Sequence, residues 1–399
     1  MVVLVTFVDR VGGTMLFPFF ALYFTEKFNV GMTEAGIILG LYATAGMVGS
    51  MIGGALTDRF GRRVLIIFGL VFSAISSLAI GLTENFVLLY PLAVVAGLLS
   101  DIGSPARTAM IGDLLPEEQR QEGFGILRVV ANMAWIIGPT VGGIIANSSY
   151  LTLFIIDAVA SCLVAVLFYR LVPETQPEMS VEQRSQGVWK TFKGYSIVLR
   201  DKGFIAFLAA GILMGVVYSQ MYNSLSVYLR DVHAIKTQGY GFLMTTSAIT
   251  VILLQFRATR IIKYRPPFVM MALGTLFYMV GFSMFGLVSY YWLFALAIVI
   301  ITFGEMIVMP ISSALAINFA PLEMRGRYTA VFDLIWWLPA AIGPGAAGLV
   351  LDNLNPNLLW YIGGAMCAAA ALGFYYLHLR LGMQKRFVPA PAETELAPV

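Results

Sequence analysis

Twelve runs of apolar residues, separated by short polar or Gly/Pro breaks, restrict this chain to one class of fold. They fall at 2–24, 33–56, 63–82, 86–112, 123–146, 150–170, 203–229, 239–259, 267–288, 291–316, 326–350 and 357–379. A helix of about 20 residues crosses the hydrocarbon core of a bilayer, and in lipid each backbone polar group must be satisfied within its own segment. Each run is therefore expected to be a transmembrane helix. Only 12% of the 399 residues are charged, about half the share in a soluble domain, and the mean hydropathy is +0.83. The expected class is an all-α membrane protein, and a single soluble core is excluded.

Several functions are disfavoured at once. The net charge is +3 with scattered basic residues, so no nucleic-acid footprint exists. Cys162 and Cys367 fall within apolar runs, where they act as small hydrophobes without metal-ligand spacing. His233 and His378 lie at a join and a helix end, so no metal site is expected. No G-x-x-x-x-G-K-[ST] loop occurs, so neither ATP nor another cofactor is expected. With no activated nucleophile in view, the chain does not read as an enzyme. The first run contains Asp9 and Arg10 and continues to Tyr23 without a small-residue cleavage site, which makes it a span rather than a cleavable signal. Met1 lies so close to it that the start of this helix is expected to be missing or misassigned.

Basic residues set the orientation. Joins 2–3, 4–5, 6–7, 8–9 and 10–11, with the tail, hold most of the Lys and Arg, whereas the opposite joins hold only Lys27, Arg230 and Lys236. The positive-inside rule puts both termini and the central linker in the cytoplasm of a multi-pass protein of the plasma membrane or bacterial inner membrane.

The runs divide into two sets of six. The polar stretch 172–202 separates them as a cytoplasmic linker, giving expected domains 1–171 and 203–380, and 381–399 reads as a disordered cytoplasmic tail. A shift of 205 residues places Pro105 on Pro310, Ile137-Gly138-Pro139 on Ile342-Gly343-Pro344, and Gly143 on Gly348. Such a duplication predicts two six-helix bundles related by a pseudo-twofold axis along the membrane normal, the plan of transporters that rock around a central site.

The joins carry more than orientation. Residues 54–66 read Gly-Ala-Leu-Thr-Asp-Arg-Phe-Gly-Arg-Arg-Val-Leu-Ile, a charged hairpin too polar for lipid. Gly54, Leu56, Asp58, Arg59, Gly61, Arg62 and Arg63 resemble the G-x-L-a-D-R-x-G-R-R signature of the major facilitator superfamily. Arg128 to Gly143 resembles the R-x-x-x-N-x-x-W-x-x-G-P-x-x-G-G helix of its twelve-helix drug:proton antiporter branch, and Asp9 with Gly13 and Pro18 resembles the first helix of drug efflux members. The resemblance implies a monomeric secondary transporter. It implies a cytoplasmic gate built from the hairpin, with Asp113 as partner of Arg62. It also implies an antiporter motif at Gly138, Pro139, Gly142 and Gly143. Two departures stand out: Ala93 occupies the place of the family's helix-4 Arg, and the second-half hairpin, Arg257 to Arg265, lacks Gly and Asp.

Ionisable residues inside spans are costly, at least about 2.5 kcal/mol each at the bilayer centre unless paired or hydrated. Asp9, with Arg128 nearby, is the expected proton or cation site, with Asp333 or Glu305 as the second acid and Asp101 a further candidate. Reversible protonation is what a carboxylate in a low-dielectric cavity offers. Arg107 and Asp157, nearer helix ends, read as static ion pairs that fix register. Asn132, Tyr218, Gln220, Tyr222, Asn223 and Trp336 are candidates for lining a cavity for amphipathic molecules. The expected function is proton-coupled efflux of small amphipathic compounds by alternating access, with protons, small-molecule substrate and membrane lipid as partners. The alternatives are a symporter or facilitator of a nutrient, metabolite or lipid-like solute on the same fold, and a non-transporting receptor or scaffold.

Overall fold

The computed structural model describes residues 2–114, 120–175, 197–321, 324–384 and 387. Most of the expected linker, 176–196, and the tail from 388 lie outside the described residues, as do the side chains of Asp58 and Arg128. Among the described residues there is no strand, and twelve helical spans are long and apolar enough to cross a membrane.

The first eight helices are α1 (Val2–Leu16), α2 (Phe20–Phe28), α3 (Met32–Phe60), α4 (Arg62–Leu82), α5 (Phe86–Ser100), α6 (Ser104–Leu114), α7 (Arg120–Ala146) and α8 (Tyr150–Leu171). They are followed by α9 (Lys202–Ser219), α10 (Leu225–His233), α11 (Thr237–Ile262), α12 (Pro267–Phe285), α13 (Tyr291–Phe319), α14 (Arg325–Phe332), α15 (Leu334–Asn353) and α16 (Leu358–Leu381).

Four of the apolar runs are interrupted rather than continuous. Phe17–Phe19, a 3₁₀ turn holding Pro18, separates α1 from α2, and Asp101–Gly103 does the same between α5 and α6. Residues 220–224 form a turn between α9 and α10, where the N–H groups of Ser224 and Leu225 both reach the Gln220 carbonyl. The boundary between α14 and α15 falls on Asp333. Such irregular backbone within membrane depth is tolerated where it is buried in protein or borders a cavity.

Packing divides the chain into two compact units. One takes Met1–Met179, Gln220–Thr245 and Ala340–Asn353; the other takes Ser180–Ser219, Thr246–Pro339 and Leu354–Val399. Residues 220–245 and 340–353 thus pack with the first unit, although they belong to the second half of the sequence repeat.

Within the first unit, α8 shows why the chain suits lipid. Ile155, Val159, Leu163 and Val166 form an exposed apolar face, while Asp157 and Ser161 are buried on the other. The polar groups point inward and the apolar ones outward, the reverse of a soluble helix. Val5, Leu65, Ile66, Met110, Val164 and Phe168 fill the core between these helices. In the second unit the core is aromatic: Phe207 stacks on Phe332 and Phe319, and Phe285 packs edge-on to Trp360 with centroids 5.0 Å apart.

Candidate functional site

The first unit contains a cavity of about 580 Å³. Its walls carry Asp9 and Arg10 from α1, Asp101 from the 3₁₀ turn, Arg107 from α6 and Asp157 from α8, together with Ser73, Ser76, Ser77, Ser100, Ser104, Ser161, Thr6, Thr14 and Thr108. Among the described residues of these walls three carboxylates face two guanidinium groups, an excess of one negative charge when all are ionised. Asp9 Oδ2 and Arg107 Nη1 are 2.5 Å apart, each side chain about one-fifth exposed. Arg107 is therefore the described partner of Asp9, and the side chain of Arg128 lies outside the described residues.

Asp101 owes its place to the break in the fourth span. The 3₁₀ turn directs it toward Gly46 on α3, where an added Cβ would come within 2.7 Å of its Oδ2, and Arg10 and Arg107 act on it electrostatically. Asp157 is 8% exposed and pairs with no Arg or Lys in any described ion pair; its Oδ2 is 2.7 Å from Ser77 Oγ. Of the two residues expected in ion pairs, Arg107 is paired, with Asp9, and Asp157 is in none of the described ion pairs.

Phe17, Phe20, Tyr42 and Ile80 also border a second, apolar cavity of about 50 Å³, reached by Phe24, Leu89 and the amide residue Asn223. The larger cavity is of the size that small-molecule pockets have, and its wall combines the charged groups with Phe17, Phe20, Tyr42 and Trp135. Tyr222 packs against Trp135 at 4.9 Å, and Gln220 is buried with its Oε1 2.7 Å from Ser224 Oγ. Asn132 is exposed and does not line either cavity.

In the second unit, the Tyr218 hydroxyl hydrogen-bonds Glu305, and Tyr218 packs on Tyr278 and edge-on to Trp336. Asp333 is exposed at its helix boundary, where its carbonyl accepts from Trp336 and Trp337.

The hairpin between α3 and α4 turns on one residue. Gly61 has φ 92°, a left-handed conformation that penalises any side chain, and its N–H donates to the Thr57 carbonyl. Arg62 Nε lies 2.7 Å from Asp113 Oδ2. Glu174 was not singled out in the sequence, yet its carboxylate accepts the N–H groups of Arg62 at 2.9 Å and Arg63 at 3.0 Å, capping the N-terminus of α4. Thr175 hydrogen-bonds Asp113 at 3.2 Å, so the first linker residues fasten to the hairpin. Arg63 lies over the Tyr169 ring, Arg59 over Phe60, and Gly54 has ordinary contact with Pro105.

Gly138 and Gly142 let α7 lie directly against α1, since an added Cβ would meet Thr14 or Met15. Thr14 Oγ1 bonds the Ala134 carbonyl at 2.8 Å across this seam. Pro139 and Gly143 face Gly241 of α11, and the Thr140 and Thr245 hydroxyls meet at 2.7 Å. At the end of α3 remote from the hairpin, Asp352 of α15 accepts from Met32 N at 2.9 Å and Thr33 N at 2.7 Å. Nearby, Arg230 reaches Thr25 at 2.9 Å and Glu26 at 3.4 Å.

The model of the Major Facilitator Superfamily matches residues 2–344. The chain is 28% identical over 357 residues to a Na(+), Li(+), K(+)/H(+) antiporter of Planococcus maritimus, covering 83% of this chain and 84% of the relative. It is 23% identical over 327 residues to the quinolone resistance protein NorA of Staphylococcus aureus (strain MSSA476), covering 81% and 83%. The backbone is similar to the crystal structure of a POT family transporter in complex with 5-aminolevulinic acid, with TM-score 0.80, 18% identity and 95% coverage of each chain. That likeness concerns the fold alone.

Proposed function

Since the chain belongs to the Major Facilitator Superfamily and is a multi-pass membrane transporter, we propose that it is a proton-coupled antiporter that exports small, positively charged amphipathic solutes by alternating access. The observation that carries this reading is the lining of the first unit's cavity by Asp9, Asp101 and Asp157 against Arg10 and Arg107. With every group ionised the walls favour a cation; one bound proton cancels the excess charge and removes that preference. Solute and proton then compete for one site, and competition couples them. Phe17, Phe20, Tyr42 and Trp135 in the cavity wall supply apolar contact for the body of the solute.

In this reading the sequence halves 1–171 and 203–380 rock as two bodies joined by 172–202, with both termini cytoplasmic. The hairpin Gly54 to Arg63, braced by Asp113, closes the cytoplasmic side. Glu305 with Tyr218 is a second protonation site. A second reading, exchange of inorganic monovalent cations, draws support from the many hydroxyls in the cavity wall and from the antiporter among the relatives.

Proteoliposomes loaded with a pH-sensitive dye test both. Ethidium, tetraphenylphosphonium, Na⁺, K⁺ and Li⁺ are added in turn to wild type and Asp101→Asn. Proton movement evoked by an organic cation and lost in the variant supports the first reading, and a response to alkali cations alone supports the second. Silence throughout, from folded protein, rejects proton-coupled cation antiport.

A further inference from the structure

The three carboxylates of the cavity differ in what balances them. Asp9 is held by Arg107 at 2.5 Å, and Asp101 feels both Arg10 and Arg107. Asp157 has neither. From α4 it meets the Ser77 hydroxyl, and from α1 it meets Gly12, where an added Cβ would lie 3.2 Å from Asp157 Oδ1. The ionisable groups that reach it from neighbouring elements are Asp9 on α1, itself an acid, and Tyr42 on α3. It is 8% exposed, yet it borders the cavity.

A buried carboxylate with no cation beside it among the described residues, and with another acid acting on it, gains most from neutralisation. A proton taken from the cavity water achieves this without moving any other residue. Ser77 suits both conditions, because a hydroxyl donates to a carboxylate and accepts from a carboxylic acid. Gly12 places no side chain against Oδ1.

We infer that Asp157 carries the coupling proton, with Ser77 as its positioning partner, while Asp9 remains an ion-paired carboxylate that holds Arg107. Loading forms one O–H bond on the Asp157 carboxylate and removes one proton from water. Unloading, driven by arrival of the cationic solute, returns that proton to water, and Ser77 keeps its own hydrogen throughout. This inference rests on the proton-coupled reading above, and it moves the site from the first helix to the sixth span.

The test is a pH-difference infrared spectrum of the full chain in liposomes, read at the carboxylic-acid C=O stretch, beside dye-reported proton flux evoked by ethidium and by Na⁺. Wild type should gain the band on acidification. Asp157→Asn should lose the proton flux and the share of the band that Asp157 supplies, leaving the share of other carboxyls such as Glu305. Ser77→Ala should keep the band at a shifted frequency, and Asp9→Asn should leave it in place. Asp157→Glu, which preserves the acid, guards against a variant that does not fold and should retain a band. Wild-type flux together with a band that Asp157→Asn leaves undiminished overturns the inference and leaves the coupled reading intact. Absence of proton flux in wild type overturns the coupled reading, and the inference falls with it.

Discussion

Replacing Asp352 with alanine should free the end of α15 from the first turn of α3. The carboxylate takes two N–H groups, Met32 at 2.9 Å and Thr33 at 2.7 Å, that the helix cannot satisfy internally. Loss of such a cap costs about 1 kcal/mol, and the exposure of Asp352 argues against the upper end of the range. If the contact belongs to only one state of the transport cycle, that cost shifts the balance between states about fivefold. Asp352→Asn retains one acceptor oxygen and should shift it less. Gly348→Ala should shift it more, because its Cβ would fall on the Met32–Thr33 backbone and overpacking costs about 1–3 kcal/mol. Nitroxide pairs at Ile37 and Asn353, read by double electron–electron resonance, report the separated population. An unchanged distance distribution in folded Asp352→Ala and Gly348→Ala would refute the idea that this contact opens during transport.

Other expectations follow from individual contacts. Asp9→Asn and Arg107→Ala should each destabilise the protein by about 1–3 kcal/mol, below the fully buried case because both groups are partly exposed. The double variant should lie nearer wild type than the sum of the singles, which denaturant unfolding in detergent measures. Gly138→Ala should cost about 1–3 kcal/mol by forcing α7 away from Thr14, seen as a lower unfolding temperature. Glu174→Ala should cost about 0.5–2 kcal/mol through loss of the α4 cap and should expose the Arg62–Arg63 amides to faster hydrogen exchange; unchanged exchange would count against the cap.

Hydropathy made the spans legible, since lipid demands long apolar helices whatever their tertiary setting. The breaks inside those spans were not legible. Only Pro18 announces its turn; Asp101–Gly103 and Gln220–Ser224 contain no Pro, and the second turn is closed by Ser224 on Gln220 within it and by the Tyr240 hydroxyl on the Met221 carbonyl. The partner of Asp9 could not be read either, because Arg107 lies 98 residues away and the pairing is set by how α6 meets α1. Asp157 looked like a helix-end ion pair, whereas burial against Ser77 gives it a different character. Asp352 and Glu174 sit at or beyond the ends of apolar runs, where a carboxylate looks like solvated surface until the helix N-terminus it caps is known.

The most direct test of proton antiport is the accumulation of a transported monovalent cation in proteoliposomes at a series of imposed pH differences, with the membrane potential clamped at zero. One proton exchanged for one such cation is electroneutral, so the steady-state ratio should change about tenfold per pH unit and should not respond when a potential is then imposed. A ratio that ignores the pH gradient and follows the potential would contradict the account and identify a facilitator.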